Sequence, residues 1–217
     1  MVALKRRSLH WTFLGVLLAA FISPAASQSP GIDKSALARF HSPSLGHAGA
    51  KVQIVEFFDP ACEGCRAMYP FVKQILEENP GRVRLTIRYL PFHRGADQIV
   101  KLLEASRRQG KYAETLDLLM ATQPRWAVNH VARLDLAMKA VEPLALQIER
   151  LKADMAAPQL SELIKQDMRD ALTLKIDRTP EFFINGKALA TLGPDELRAM
   201  VLKALEESYG APGAKNK

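Results

Sequence analysis

The chain has 217 residues, of which 48% are hydrophobic and 24% charged, and a formal net charge of +7. That length suits one packed domain with room for an inserted subdomain, and the composition excludes a disordered chain. The basic residues are scattered, with no run of Lys or Arg interleaved with aromatics, so no nucleic-acid partner is expected.

Lys5, Arg6 and Arg7 precede an apolar segment that runs to Ile22 and is short for a bilayer span, followed by the small residues Ala25, Ala26 and Ser27. This is the pattern of a secretory signal peptide over residues 1–27, cleaved after Ala26 or Ser27. Because it holds three basic and no acidic residues, its removal takes the net charge from +7 to +4. Export to the periplasm and a soluble mature chain are the expectations.

Residues 28–50, rich in Ser, Pro, Gly and Ala, read as an irregular lead-in. Val52–Asp59 (VQIVEFFD) is a near-continuous apolar run of β-branched and aromatic residues, as in a central strand buried on both faces. A helix opens at Cys62 and carries Met68, Phe71 or Val72, Ile75 and Leu76 inward, with Pro70 inside it expected to kink it, before Pro80–Gly81 ends it. Val83, Leu85, Ile87 and Tyr89 alternate with Arg82, Arg84, Thr86 and Arg88, predicting a second strand with one apolar face. Strand, helix, strand implies a parallel pair with a crossover helix.

Residues of about 95–175 read as a helical insertion. Its apolar stripes include Ile99, Leu102 and Leu103; Tyr112, Leu116 and Leu119; Val131, Leu134 and Met138; Ile148, Leu151 and Met155; and Leu160, Ile164 and Met168. Breaks are expected at Gly110, Pro124, Pro143 and Pro158. Strand character returns at Glu181–Ile184, followed by Asn185–Gly186, a strong hairpin signal, and Lys187–Leu189. Gly193–Pro194–Asp195 opens a last helix, and residues 210–217 read as a flexible tail. The fold expected is α/β, with a mixed central sheet over residues 51–209.

Cys62 and Cys65 are the two cysteines of the chain. A Cys-x-x-Cys ring closes almost no loop, so chain stabilisation is a poor reason for it. Redox chemistry, metal binding and a structural bridge stay open at this point, redox being favoured by position. Cys62 falls at a helix N-terminus after a buried strand, where free backbone N–H groups and the helix dipole favour a thiolate. Cys65, one turn on, can attack the mixed disulfide that Cys62 forms. Glu56 shares a face with Ile54 and Phe58, so its carboxyl should be buried and able to exchange protons near neutral pH.

VEFFDPACEGC, Pro70 in the following helix, the helical insertion and RTPEFFINGK together resemble the DsbA-like branch of the thioredoxin superfamily, over about residues 49–208. The resemblance implies a thioredoxin-like fold and a thiol:disulfide oxidoreductase with Cys62 as nucleophile, Cys65 as resolving thiol and Glu56 as its proton acceptor. It also implies that Thr179 and Pro180 form a cis-proline loop that binds substrate backbone. The implied partners are unfolded or extended protein substrates and a membrane redox partner that re-oxidises or reduces the pair. No organic cofactor is implied, since the cysteine pair is the redox group.

The branch's strong oxidants carry Pro-His or a similar pair between the cysteines, where this chain has Glu63–Gly64. A carboxylate there disfavours the thiolate, so a less acidic Cys62 is expected. Residues 28–50 are too short for the dimerisation domain of the branch's isomerases, so a monomer is expected. His41, His47, His93 and His130 match no familiar zinc spacing and read as surface residues, with His130 on a helix; no metal site is expected. The rival reading is a thioredoxin-fold copper or zinc carrier using the same two thiolates.

Overall fold

The computed structural model describes residues 34–210. The expected signal peptide and nearly all of the expected tail lie outside them. Five strands form one mixed sheet: β1 (Ser44–Gly46), β2 (Val52–Phe58), β3 (Val83–Tyr89), β6 (Glu181–Ile184) and β7 (Lys187–Ala188), in the order β1-β3-β2-β6-β7. β2 and β3 are parallel, with Val52 opposite Val83 and Phe58 opposite Tyr89. They are joined across α2 (Glu63–Glu78), which runs on through Pro70. β1 on β3, β6 on β2 and β7 on β6 are antiparallel.

Alternation along β2 sorts its side chains into two cores. Val52, Ile54 and Phe58 join the larger one, with Cys62, Cys65, Met68 and Val72 of the active-site segment and Leu197 and Val201 of α8 (Pro194–Tyr209). Val55 and Phe57 point the other way and pack with Leu90, Ala171, Ile176 and Phe183. That second face is covered by α1 (Lys34–Leu37) and α7 (Pro158–Thr173). The rest of the insertion is α3 (Ala96–Arg107), α4 (Tyr112–Trp126), the two-residue strands β4 (Ala127–Val128) and β5 (Val131–Ala132), α5 (Leu134–Ala140), a short 3-10 helix (Glu142–Leu144) and α6 (Ile148–Met155).

The structure departs from the sequence reading in four places. The segment 28–50 is not irregular throughout: it holds α1 and the edge strand β1, which is too short to show a period and is defined by pairing with β3. Pro124 does not break α4, because it falls in the last turn and the helix ends two residues later. Val131 and His130 are not helical; they belong to the β4–β5 hairpin, whose tip residues Asn129 and His130 are left-handed (φ 50° and 60°). Met168 is exposed, while Asp167 and Asp170 of α7 are buried. They are buried against the strand β3, whose polar face is therefore covered as well: Arg88 is fully buried and donates to both carboxylates.

Candidate active site

β2 ends at Phe58, and the next four residues, 59–62, turn the chain into α2. Asp59, fully buried, organises the turn: one carboxylate oxygen accepts from the Ala61 N–H at 2.8 Å, and its backbone carbonyl accepts from the Cys62 N–H at 3.1 Å. Cys62 is the N-cap of α2 with extended backbone (φ −77°, ψ 125°), and its carbonyl accepts the first helical hydrogen bond, from Arg66. Gln123 of α4 clamps the turn from outside, its amide donating to the carbonyls of Pro60 (2.8 Å) and Cys62 (3.0 Å). The insertion thus holds the cysteine loop directly. This contact could not be read from the sequence, since Gln123 sits in a helical stripe with nothing to mark it.

The two thiols have different surroundings. Cys62 is 8% exposed and Cys65 is 0% exposed. The Cys62 Sγ lies 3.3 Å from the Thr179 carbonyl, and the Thr179–Pro180 peptide beside it is cis. A hydrogen bond from Cys65 draws the Cys62 thiol down to about 6; partial burial opposes this, and Thr179 and the backbone N–H groups of Cys65 and Gly64 add to it. Burial, then the hydrogen bond with Cys62 and the charge of Glu56, push the Cys65 thiol well above its ordinary value. One sulfur is thus disposed to be a thiolate near neutral pH, and its neighbour to remain a thiol.

Gly64 shows why the dipeptide is small at its second place. A Cβ there would stand 3.1 Å from the Pro180 ring and 3.5 Å from the Cys62 Sγ, filling the slot between the helix start and the proline loop.

Glu56 is 1% exposed, on the face of β2 that carries Ile54 and Phe58, and among the described residues neither carboxyl oxygen has a hydrogen-bond partner. Burial, and then the charge of Cys62, raise its carboxyl well above the ordinary range. The structure therefore brings Cys62, Cys65, Glu56, Thr179 and Pro180 together from strand, helix and loop.

The histidines divide. His47 is exposed and His41 bonds Asp167 at 2.7 Å on the far side of the sheet. His93 and His130, read from the sequence as unconnected surface residues, meet at the rim of the cysteine loop, with ring centroids 5.3 Å apart. His93 is fixed by Asp59, whose second carboxylate oxygen bonds its Nδ1 at 2.6 Å and its backbone N–H at 2.9 Å. Partial burial lowers the His93 imidazole, but the hydrogen bond and charge of Asp59, with the charges of Cys62 and Glu63, outweigh it and raise the ring above its ordinary value.

Comparison with known proteins agrees with this geometry. Residues 40–203 match the family described as Thioredoxin. A thioredoxin-like oxidoreductase from Silicibacter pomeroyi has a TM-score of 0.69 and 28% identity, over 79% of this chain and 97% of that one. The probable disulfide bond formation protein D of Bacillus anthracis is 26% identical over 174 residues, which is 76% of this chain and 78% of the relative. The Na(+)/H(+) antiporter NhaA 3 of Salinispora tropica is 31% identical over 145 residues, 65% of this chain but 21% of the antiporter. The chain spans about a fifth of the length of that curated relative. With the Thioredoxin match over residues 40–203, a Cys-x-x-Cys at the N-terminus of α2 and a helical insertion between the two halves of its sheet, this chain belongs to the thioredoxin family.

Proposed function

We propose that this chain is an exported, periplasmic thiol:disulfide oxidoreductase that acts as a monomer on unfolded or extended protein substrates. The observation that carries the reading is the asymmetry of the pair: a Cys62 that keeps 8% exposure and is drawn toward thiolate beside the Thr179–Pro180 loop, and a Cys65 wholly buried next to Glu56. In the reducing direction the Cys62 thiolate attacks a substrate disulfide, forming a Cys62–substrate disulfide and releasing one substrate thiolate. Cys65 then loses its proton to Glu56 and attacks the Cys62 sulfur. The second substrate thiolate leaves, and the pair is left oxidised. Substrate oxidation is the same two steps reversed. A membrane redox partner resets the pair in either direction, and Thr179 and Pro180 supply the backbone edge along which an extended peptide lies.

Insulin is a suitable disulfide substrate. Cys65→Ala should accumulate a covalent Cys62–substrate adduct, visible by mass and removed by reductant, while Cys62→Ala should form none. Adducts on Cys65 in the Cys62→Ala variant, with none in the reverse case, would overturn the assignment of roles. Metal content and free-thiol counts on the purified protein separate this reading from a carrier that uses both thiolates as ligands.

A further inference from the structure

Beside the cysteine pair lie three side chains that disulfide exchange does not use. Glu63 opens α2, His93 follows β3, and His130 stands at the tip of the β4–β5 hairpin. One ligand-type atom from each lies within 4.8 Å of the other two. The two imidazole planes are 14° apart.

The surrounding structure holds two of the three in place. His93 is fixed through Nδ1 by Asp59, which is itself fully buried and further bonded to the Ala61 N–H. A carboxylate on one imidazole nitrogen sets the tautomer and leaves Nε2 as a lone-pair donor, the arrangement that supports histidine ligands of metals. His130 is carried by a hairpin that is tied to the same loop, the Ala132 N–H donating to the Arg94 carbonyl at 2.8 Å. Its left-handed backbone (φ 60°), following that of Asn129 (φ 50°), is uncommon for residues other than glycine.

We propose that Glu63, His93 and His130 form a site for a divalent transition ion of the zinc kind, with a fourth position open to water. Two imidazoles and one carboxylate suit such an ion better than calcium or magnesium, which take oxygen ligands. Ligand atoms around a tetrahedral ion at about 2.1 Å stand about 3.4 Å apart, so atoms that lie within 4.8 Å of one another need contract by about 1.4 Å at most. Glu63 and His130 are both exposed and have room to do so, against a His93 that is already held. The site differs from a thiolate carrier in its ligands, and an ion in it adds positive charge one residue from Cys62, linking thiol exchange to metal supply.

The test is calorimetric titration with Zn2+ of the full chain carrying Cys62→Ser and Cys65→Ser, so that no thiolate can serve as ligand. The expected result is saturable binding of one ion per chain. Adding His93→Gln or His130→Asn should weaken it at least about tenfold, and Asp59→Asn by about 10–100-fold, the range for lost support of a histidine ligand. Asn tolerates the left-handed backbone at 130, so that variant keeps the hairpin, and far-UV circular dichroism checks each fold. Loss of all Zn2+ binding in the double-serine parent would assign the ion to the cysteines and overturn the proposal. Unchanged affinity in a folded His130→Asn variant would overturn it as well.

Discussion

Arg88 and Glu56 are equally buried on neighbouring strands of one sheet, facing opposite ways, and they are treated differently. The Arg88 guanidinium donates to Asp167 at 2.8 and 3.0 Å, to Asp170 at 2.6 Å and to the Ala36 carbonyl, and lies over the Phe57 ring. The Glu56 carboxyl, on the face that holds the cysteines, has no hydrogen-bond partner among the described residues. Unsatisfied buried polar groups are few in native proteins, and a carboxyl without partners is easily protonated. The satisfied charge joins α7 and α1 to the sheet. The unsatisfied one is the group that the proposed mechanism uses to take a proton from a thiol. On that proposal, a charge completed by partners serves the scaffold, and one left incomplete serves the chemistry.

The largest effect should come from the satisfied side. Arg88→Met leaves buried Asp167 without its guanidinium partner and Asp170 with Arg39 alone, and should cost about 3–5 kcal/mol in urea unfolding, with the thiol chemistry of surviving folded protein little changed. Glu56→Leu should do the reverse. It removes an unsatisfied carboxyl, so stability should hold or rise, while resolution of the mixed disulfide slows by about 10²-fold, the low end for a positioned acid–base group. Stopped-flow decay of a Cys62–substrate adduct measures the second quantity. A Glu56→Leu protein that unfolds more easily than Arg88→Met would break the contrast between the two faces.

A smaller effect sharpens the same contrast through pH. Burial raises the Asp170 carboxyl, but hydrogen bonds from Arg39 and Arg88 outweigh it and hold it at about 2 against an ordinary value of 3.8. A carboxyl depressed in the folded state stabilises the protein above its unfolded value and loses that contribution as pH falls through the folded one. Unfolding free energy should therefore decline between about pH 4 and pH 2, and Asp170→Asn should flatten that decline. An identical acid profile in the variant would remove Asp170 from the network's working parts.

The contrast also marks what could be read from the sequence. Glu56 was legible because period 2 along β2 places it with Ile54 and Phe58, and the cysteines because a buried strand runs into a helix at Cys62. Arg88 was not: its alternation with Ile87 and Tyr89 is that of a solvent-facing residue, and the carboxylates that cover it lie 79 and 82 residues away. His93 and His130 escaped for a related reason. Nothing local distinguishes them, and their meeting depends on a two-residue hairpin inside a region whose apolar spacing is helical. Strand β1 escaped because three residues carry no period at all. Features set by local periodicity were readable, and features set by pairing across long sequence separation were not.

The central claim, that the two thiols are unlike and divide the work, is tested most directly by competitive alkylation. The fully reduced chain, held at pH 7 with a chelator, is treated with less than one equivalent of iodoacetamide, and the peptides are quantified by mass. The account predicts nearly all of the label on Cys62, because that residue is the less deeply buried of the two and its sulfur is drawn toward thiolate, while Cys65 is wholly buried and pushed the other way. Equal labelling, or label on Cys65 first, would contradict it.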